Sequence, residues 1–332
     1  MYILAFETSC DDTSVAVMRD DECISLSTRT QLEHDVTGGV VPEVAARSHA
    51  NAIFPCIDDS LHDAGIELTD IDLIACTDRP GLAPSLLTGL VVAETLALSM
   101  NKPILRIDHI ESHIFANLLE RKESDIIFPA VTLTVSGGHT ELYQWNSLFD
   151  LEMIGQTHDD AAGECFDKVS KMLGMGFPGG KKIADLATQY GGEYEGIFPL
   201  VLLEKESLDF SFSGLKSAVK RYIDIQISTP EGLTEDKKIQ IAYEFEEVVT
   251  DILFKKLLRA AEQKNAKMIL LAGGVSANTK IKNKIQKYAD ESHIPFLAPT
   301  RTIYSMDNAA MVGIRAYYEY RAISEKLGIS SL

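Results

Sequence analysis

The sequence predicts an α/β protein built from one unit used twice, and three observations carry that prediction. An apolar strand, a polar turn, two further strands and then alternating helices and strands occur in both halves in the same order. The turns after the leading strands, Thr8-Ser9-Cys10-Asp11-Asp12 and Ser136-Gly137-Gly138-His139, lie about 128 residues apart. The length of 332 residues suits two domains at roughly 100–200 residues each. The expected domains are 1–128 and 129–332, with a helical insertion at about 161–235 and a last helix free to pack back on the first domain. A ligand cleft is expected between the halves, where strand ends meet a domain junction.

The elements follow in order. YILAFE (2–7) and SVAVM (14–18) are apolar enough for strands, and the charged RDDE turn leads to a third strand near 23–30. Pro42 opens a helical pattern that runs to about Ala64. Strand 72–76, helix 83–99, strand 103–107 and a helix from about 108 to 121 complete the first half. The second half reads as strands 130–135, 140–145 and 151–156, then helices near 161–174, 181–189 and 213–225. A long helix at about 235–264, strand 267–272, helix 276–288, strand 295–299 and a helix from about 308 follow.

Composition narrows the class. Hydrophobic residues at 45% and charged residues at 24% exclude a disordered chain. No run of 18 apolar residues is present, so no membrane span is expected. The opening MYILAFETSCDD has no basic segment and turns polar after six residues, so no secretory signal is read there. The five cysteines are scattered without a CxxC pair, which predicts reduced thiols in a cytoplasmic protein. A net charge of −18 excludes a broadly basic nucleic-acid binder. The charge is also uneven: residues 1–100 hold no lysine, and four Arg face 17 acids. From Lys255 to Lys287, nine basic residues face only Glu262. That stretch is the expected patch for an anionic partner, against the commoner alternative of solvated helix faces.

Four motifs carry chemistry. In Asp108-His109-Ile110-Glu111-Ser112-His113 the two histidines are at i and i+4, so a helix puts both on one face, where they could hold a metal. Glu111 lies roughly 200° round from His109, unlike the glutamate of a metalloprotease HExxH. Asp307, before the last helix, reads as an N-cap or as a third ligand; the sequence alone does not bring it to His109. The turns Ser136-Gly137-Gly138-His139, Pro178-Gly179-Gly180 and Gly273-Gly274-Val275-Ser276-Ala277-Asn278 could let backbone N–H groups approach phosphate, although none is a P-loop or GxGxxG. Asp167 and Lys168 are candidates for ribose and phosphate contact, and Asp209-Phe210-Ser211-Phe212 places aromatics at period two before a helix start.

Together these segments resemble one family. FETSCDDTSVA, GGVVPEVAARSH, PGLAPSLLTG, DHIESH, VSGGHTEL, DDAAGECFDKVSKMLG, FPGG, DFSFSGLK, AGGVSAN and MDNAAM span residues 6–311 in the order found in TsaD-type tRNA N6-adenosine threonylcarbamoyltransferases. The resemblance implies a duplicated actin/Hsp70-like (ASKHA) fold, two lobes with ribonuclease-H-like cores. It implies transfer of threonylcarbamoyl from threonylcarbamoyl-AMP to N6 of adenosine 37 in tRNAs reading codons that begin with A. It implies one divalent metal, usually Fe(II), with zinc or magnesium as alternatives, on His109, His113 and Asp307. Thr134, Val135, Ser136, Gly137, Gly138, Asp167, Gly180 and Asn278 would hold the adenylate. A TsaB-like paralogue and a TsaE-like ATPase are the implied partners. The proton lost from N6 needs an acceptor, and Asp11 and Asp12 are nominated, Asp11 first. Four positions depart from the family pattern: Asp12 for Glu, Arg79 for Gly, Glu94 for a basic or small residue, and Lys181 for Pro. A kinase of the same superfamily, a metallopeptidase and a non-catalytic paralogue are the competing readings. The first has no need of the histidine pair, and the last lacks the histidines and Asp307.

Overall fold

The computed structural model describes residues 1–31, 34, 39–203 and 206–328. The chain divides into two units, Met1–Glu123 with Pro299–Leu332, and Ser124–Ala298.

The first unit is a five-stranded sheet of β1 (Tyr2–Glu7), β2 (Asp12–Arg19), β3 (Glu22–Thr30), β4 (Leu73–Arg79) and β5 (Ile104–Asp108), in the order β3-β2-β1-β4-β5. β1 pairs antiparallel with β2, Phe6 opposite Val15, and parallel with β4, Ala5 beside Ala75. Successive strand residues face opposite sides of a sheet. Leu4, Phe6, Val15, Val17, Ile74 and Cys76 therefore form one core with Ile53 and Cys56 of α1 (Pro42–Ala64) and Ala93 of α2 (Ala83–Met100). Between β5 and the second unit lies the short α3 (His109–Phe115).

The other face of the sheet is covered by the last helix, Ala309–Leu327, at Ala5 and Met18 of the strands and Gly313 of the helix. A Cβ at Gly313 would collide with the Met18 side chain, so glycine sets how near the helix lies. The division expected at 128/129 is thus shifted to 123/124, and the segment from Pro299 joins the first unit. The physical reason is the apolar stripe Ala309, Ala310, Val312, Ile314 and Ala316, all fully buried.

The second unit repeats the topology. β6 (Ala130–Val135), β7 (Thr140–Ser147), β8 (Asp150–Gln156), β9 (Met268–Ala272) and β10 (Phe296–Leu297) are ordered β10-β9-β6-β7-β8. The antiparallel and parallel pairings match those of the first sheet strand for strand. The helices are α4 (Ala162–Met172), α5 (Gly179–Ala187), α6 (Ser213–Ile227), α7 (Glu235–Gln263) and α8 (Thr279–Ser292); the last helix of the chain is α9. Phe166 and Phe245 meet edge to face at 5.1 Å in the core. Phe210 and Phe212 stack at 6.3 Å, and Phe210 bridges Thr157 at the end of β8 rather than forming a strand of its own.

Several element ends differ from the sequence reading. The helix expected over 108–121 stops at Phe115 and tightens into a 3₁₀ turn at Ala116–Leu118. The helix expected from 276 begins at Thr279, because Asn278 accepts from the Ile281 N–H and caps it. α2, with mean hydropathy 1.5 over 18 residues, is long and apolar enough to cross a membrane by composition. It packs on β4 and α1, and its Glu94 pairs with Arg106 of β5.

Candidate functional site

The metal-ligand candidates lie in the first unit. At the end of β5 the Asp108 carboxylate accepts from the Ile110 and Glu111 N–H groups at 2.9 and 3.1 Å and starts α3. His109 and His113 follow one turn apart, their rings 4.7 Å between centroids and nearly perpendicular. Both are buried, and both Nε2 atoms point at Asp307 Oδ1, at 3.7 Å from His109 and 3.1 Å from His113. The three candidate ligand atoms lie within 4.8 Å of one another.

Asp307 is not the N-cap of α9. Asn308 takes that place: its Oδ1 accepts from the Met311 N–H at 3.0 Å, and its Nδ2 donates to the Met306 carbonyl at 2.7 Å. The next N–H, of Ala309, donates to Ser14 Oγ in β2 at 3.0 Å. The neighbour does the capping, which leaves the Asp307 carboxylate to face the histidines. Two imidazoles and one carboxylate form a facial donor set that suits Fe(II) or zinc with positions left open. The donors present thus fit a divalent cation. Glu111 points elsewhere, to Arg315 of α9 at 2.8 Å, so it anchors the ligand helix. Arg79 pairs with Asp78 and, at 3.7 Å, with Asp108. Two residues on, Gly81 passes so close to Ser9 that a Cβ would stand 2.7 Å from the Ser9 carbonyl oxygen.

Glu7 is the residue that motif reading missed. It ends β1 fully buried, with Oε2 3.0 Å from His109 Nδ1. Thr77 Oγ1 donates to the same oxygen at 2.6 Å, and the Ser9 N–H donates to Oε1 at 2.5 Å. Burial opposes charge on both partners, yet the nearby imidazolium holds the Glu7 carboxyl low, while Glu7 and Asp307 hold His109 up to about 9. The available signal was an acid closing an otherwise apolar strand.

The first turn sits beside this centre. Asp12 opens β2 and accepts from Thr30 Oγ1 at 2.5 Å, a partner for the shorter side chain. His49 of α1 pins the turn, with Nδ1 2.8 Å from Thr13 Oγ1 and Nε2 3.0 Å from the Cys10 carbonyl. Burial, with added repulsion from Asp307, pushes Asp11 up and Asp12 up to about 7. Burial and the adjacent Asp11 push the Cys10 thiol far above the ordinary range, which favours its neutral form.

The nucleotide candidates lie in the second unit. Thr134 and Val135 end β6, and Ser136 to His139 form a tight turn, with the Ser136 N–H donating to the His139 carbonyl at 2.8 Å. Gly163 of α4 and Gly273, at φ +80°, both press on this backbone; a Cβ on Gly273 would stand 2.5 Å from the Val135 carbonyl oxygen. In contrast, a Cβ on Gly137, Gly138 or Gly180 would meet nothing within 4 Å. Gly137 and Gly138 thus stand open on a turn that Gly163 and Gly273 support, and Gly180 stands open in α5. Thr134 and Ser276 carry buried hydroxyls with no hydrogen-bond partner among the described residues.

Three second-unit residues already have structural work. Asp167 accepts from the Gly179 N–H at 2.6 Å, tying α4 to α5. Asn278 caps α8 and donates to Glu246 Oε1 at 2.8 Å. Lys168 pairs with Asp160 at 2.6 Å and Glu164 at 2.7 Å. Lys181 is exposed in the first turn of α5.

Part of the basic stretch meets acids or carbonyls of its own unit. Lys280 reaches Glu246 and Glu247, and Lys284 reaches Glu247 and Asp251, all at 2.6–2.9 Å. Lys256 is fully buried on the Ser207 carbonyl, which also accepts from Arg259. Much of its charge is therefore matched by α7 acids and turned inward.

The family is decided by comparison with known proteins. A family model described as TsaD, tRNA N6-adenosine threonylcarbamoyltransferase, matches residues 22–314. The chain belongs to the TsaD family. The tRNA N6-adenosine threonylcarbamoyltransferase of Desulfotalea psychrophila is 41% identical over 322 residues, 96% of this chain and 92% of that protein. Its namesake in Staphylococcus haemolyticus is 42% identical over 333 residues, 99% of this chain and 94% of that protein. Among solved structures, the activator of the 2-hydroxyisocaproyl-CoA dehydratase from Clostridium difficile with bound ADPNP aligns with TM-score 0.55 at 13% identity, over 100% of this chain and 99% of that one. Full-length HypF in its phosphate- and nucleotide-bound form aligns with TM-score 0.61 at 12% identity, over 98% of this chain and 46% of that one. Such likenesses speak of fold alone, and they agree with the duplicated actin/Hsp70-like α/β architecture expected of a TsaD chain. TsaD membership, with Glu111 paired to Arg315, disfavours the metallopeptidase and kinase readings.

Proposed function

We propose that this enzyme transfers the threonylcarbamoyl group from threonylcarbamoyl-AMP to N6 of adenosine 37 in tRNAs reading codons that begin with A, releasing AMP. The observation that carries the reading is the convergence of His109, His113 and Asp307 in a chain matched by the TsaD model over most of its length. His109, His113 and Asp307 would hold one divalent ion, Fe(II) being the reading best suited to two imidazoles and a carboxylate. Such an ion supplies Lewis-acid charge for the carbonyl of the threonylcarbamoyl group.

The protein's own residues supply the rest. The N6 nitrogen attacks the carbamoyl carbonyl carbon, a C–N bond forms, and the bond to the phosphate oxygen breaks with its electron pair leaving on AMP. The N6 proton passes to a carboxylate of the first turn. Asp11 and Asp12 are the acceptors proposed, and burial has brought Asp12 to about 7, where a general base works well at neutral pH. Backbone N–H groups of Ser136, Gly137 and Gly138 are proposed to take the phosphate of the adenylate, with no side chain in their way. Thr134, Val135, Asp167, Gly180 and Asn278 border the same binding role; Asp167 and Asn278 act by holding α5 and α8 in place.

tRNA is the proposed macromolecular substrate, with a TsaB-like paralogue and a TsaE-like ATPase as partners. A protein partner is supported by α2, whose Leu87, Val91 and Leu98 are 59, 51 and 85% exposed. The pairing of the basic stretch with α7 supports a division of labour in which partners help to hold tRNA. Five free cysteines support a cytoplasmic setting.

The test is reconstitution with tRNA, ATP, threonine and bicarbonate, plus the synthase and accessory proteins. Wild-type protein is expected to form threonylcarbamoyladenosine, read by nucleoside mass spectrometry, and His109→Ala to lose it. Undiminished modification by His109→Ala would reject the metal assignment, and an unchanged nucleoside level in cells depleted of the protein would reject the function.

A further inference from the structure

We infer that Glu7 is the positioning residue of the metal centre: it fixes the orientation and tautomer of His109 and raises the affinity for the ion. The inference rests on the metal reading above and goes beyond the three ligands. An ionised carboxylate can only accept hydrogen bonds, so Glu7 Oε2, 3.0 Å from His109 Nδ1, selects the tautomer protonated there. The lone pair of Nε2 is then left on the side where Asp307 lies.

Glu7 is itself locked. Thr77 Oγ1 in β4 and the Ser9 N–H in the first turn donate to its two oxygens, and the side chain is fully buried. Two consecutive links, Thr77 to Glu7 to His109, run from the central strands to the proposed ligand. Rigid strands hold such a constellation more tightly than loops do. Ser9 Oγ, 3.2 Å from the same Nδ1, adds a second neutral contact.

His113 makes the contrast. Its buried Nδ1 has no partner among the described residues, so no carboxylate stands behind this ring as Glu7 stands behind His109; the carboxylate it meets, Asp307, lies on its Nε2 side. The two imidazoles are therefore unequal: His109 is the ring oriented from behind by a carboxylate, and His113 is not. A carboxylate behind a ligating imidazole raises its basicity, and loss of such a partner typically costs about 10–100-fold in metal affinity.

The experiment titrates the full-length, metal-stripped chain with Co(II) alone, followed by d–d absorption and by competition with a chromophoric chelator. Wild type is expected to bind one ion. Glu7→Gln keeps shape and an acceptor oxygen but removes the charge, and should bind about 10-fold more weakly. Glu7→Ala should lose about 100-fold. Thr77→Val keeps the volume and the Glu7 charge and removes one hydrogen bond; a few-fold loss is expected. It decides the matter if the Glu7 variants do not fold. A folded Glu7→Gln, or failing that Thr77→Val, with wild-type affinity and an unchanged spectrum overturns the role of Glu7. A wild-type chain that binds no ion overturns the metal reading itself, which is a separate result.

Discussion

Gly163→Ala places the Ser136–His139 turn, proposed to take the adenylate phosphate, under direct strain. An ideal Cβ on Gly163 stands 2.8 Å from Gly137 Cα and 2.9 Å from the Ser136 carbonyl carbon, and nearer still to the Ser136 oxygen. Non-bonded carbons settle at about 3.5–4.0 Å, so the turn or the start of α4 must retreat by roughly 0.7–1.2 Å. Overpacking of this kind costs about 1–3 kcal/mol. Replacing glycine in a helix returns at most about 1 kcal/mol, so the net loss of stability is roughly 0–2 kcal/mol. At about 2–4 °C per kcal/mol for a unit of this size, the melting temperature falls only slightly. Catalysis is more sensitive: a displacement of about 1 Å can cost on the order of 100-fold. The expected result is a folded variant whose kcat/KM for threonylcarbamoyl-AMP drops about 10–100-fold, measured as AMP release in the presence of tRNA. Gly180→Ala is the control for stability, because its Cβ meets nothing within 4 Å, and it should melt no lower than wild type. Wild-type kcat/KM and melting in Gly163→Ala would refute the claim that α4 props the turn.

Three further outcomes are expected. Glu111→Ala should keep metal binding and at least half the transferase rate, since Glu111 pairs with Arg315; abolished metal binding would return Glu111 to the centre. The unfolded Asp12 carboxyl ionises near 3.8 and the folded one at about 7. The folded state therefore holds the extra proton, and its stability falls as pH rises across that window in metal-free protein, while the fraction of base form increases. Asp12→Asn should flatten both the stability profile and the rise of transfer rate near pH 7; profiles identical to wild type would remove Asp12 as the acceptor. Lys280→Ala with Lys284→Ala should lower the melting temperature and leave the salt slope of tRNA binding unchanged, because both lysines are matched to α7 acids. A slope reduced by about two would instead make them phosphate contacts.

The legible part of the fold was the part that local pattern controls. Runs such as Ile3 to Phe6 and Val131 to Val135 bury every side chain, and the doubled strand order needed only their spacing. The His109–His113 pair was legible for the same reason, because helical geometry alone puts i and i+4 together. Pairings that cross the chain were not. Glu7 meets His109 across 102 residues, and the acid that closes YILAFE signals a polar strand end without naming its partner. The cap before α9 is Asn308 and not Asp307; both residue types cap well, and only the folded geometry shows that Asn308 Oδ1 takes the Met311 N–H. Net charge along the basic stretch also could not show which lysines folding places opposite acids, here Lys280 and Lys284 opposite Glu246, Glu247 and Asp251.

The first unit is discontinuous, and His113 lies 194 residues before Asp307. During synthesis both histidines leave the ribosome with β5 and α3, while the carboxylate emerges only after the whole second unit. A nascent chain arrested before α9 carries two imidazoles and a bare sheet face at Ala5 and Met18. On the proposed metal reading, ion capture would therefore be a late event in biogenesis, coupled to docking of the final helix, because an unfinished polypeptide lacks the third donor.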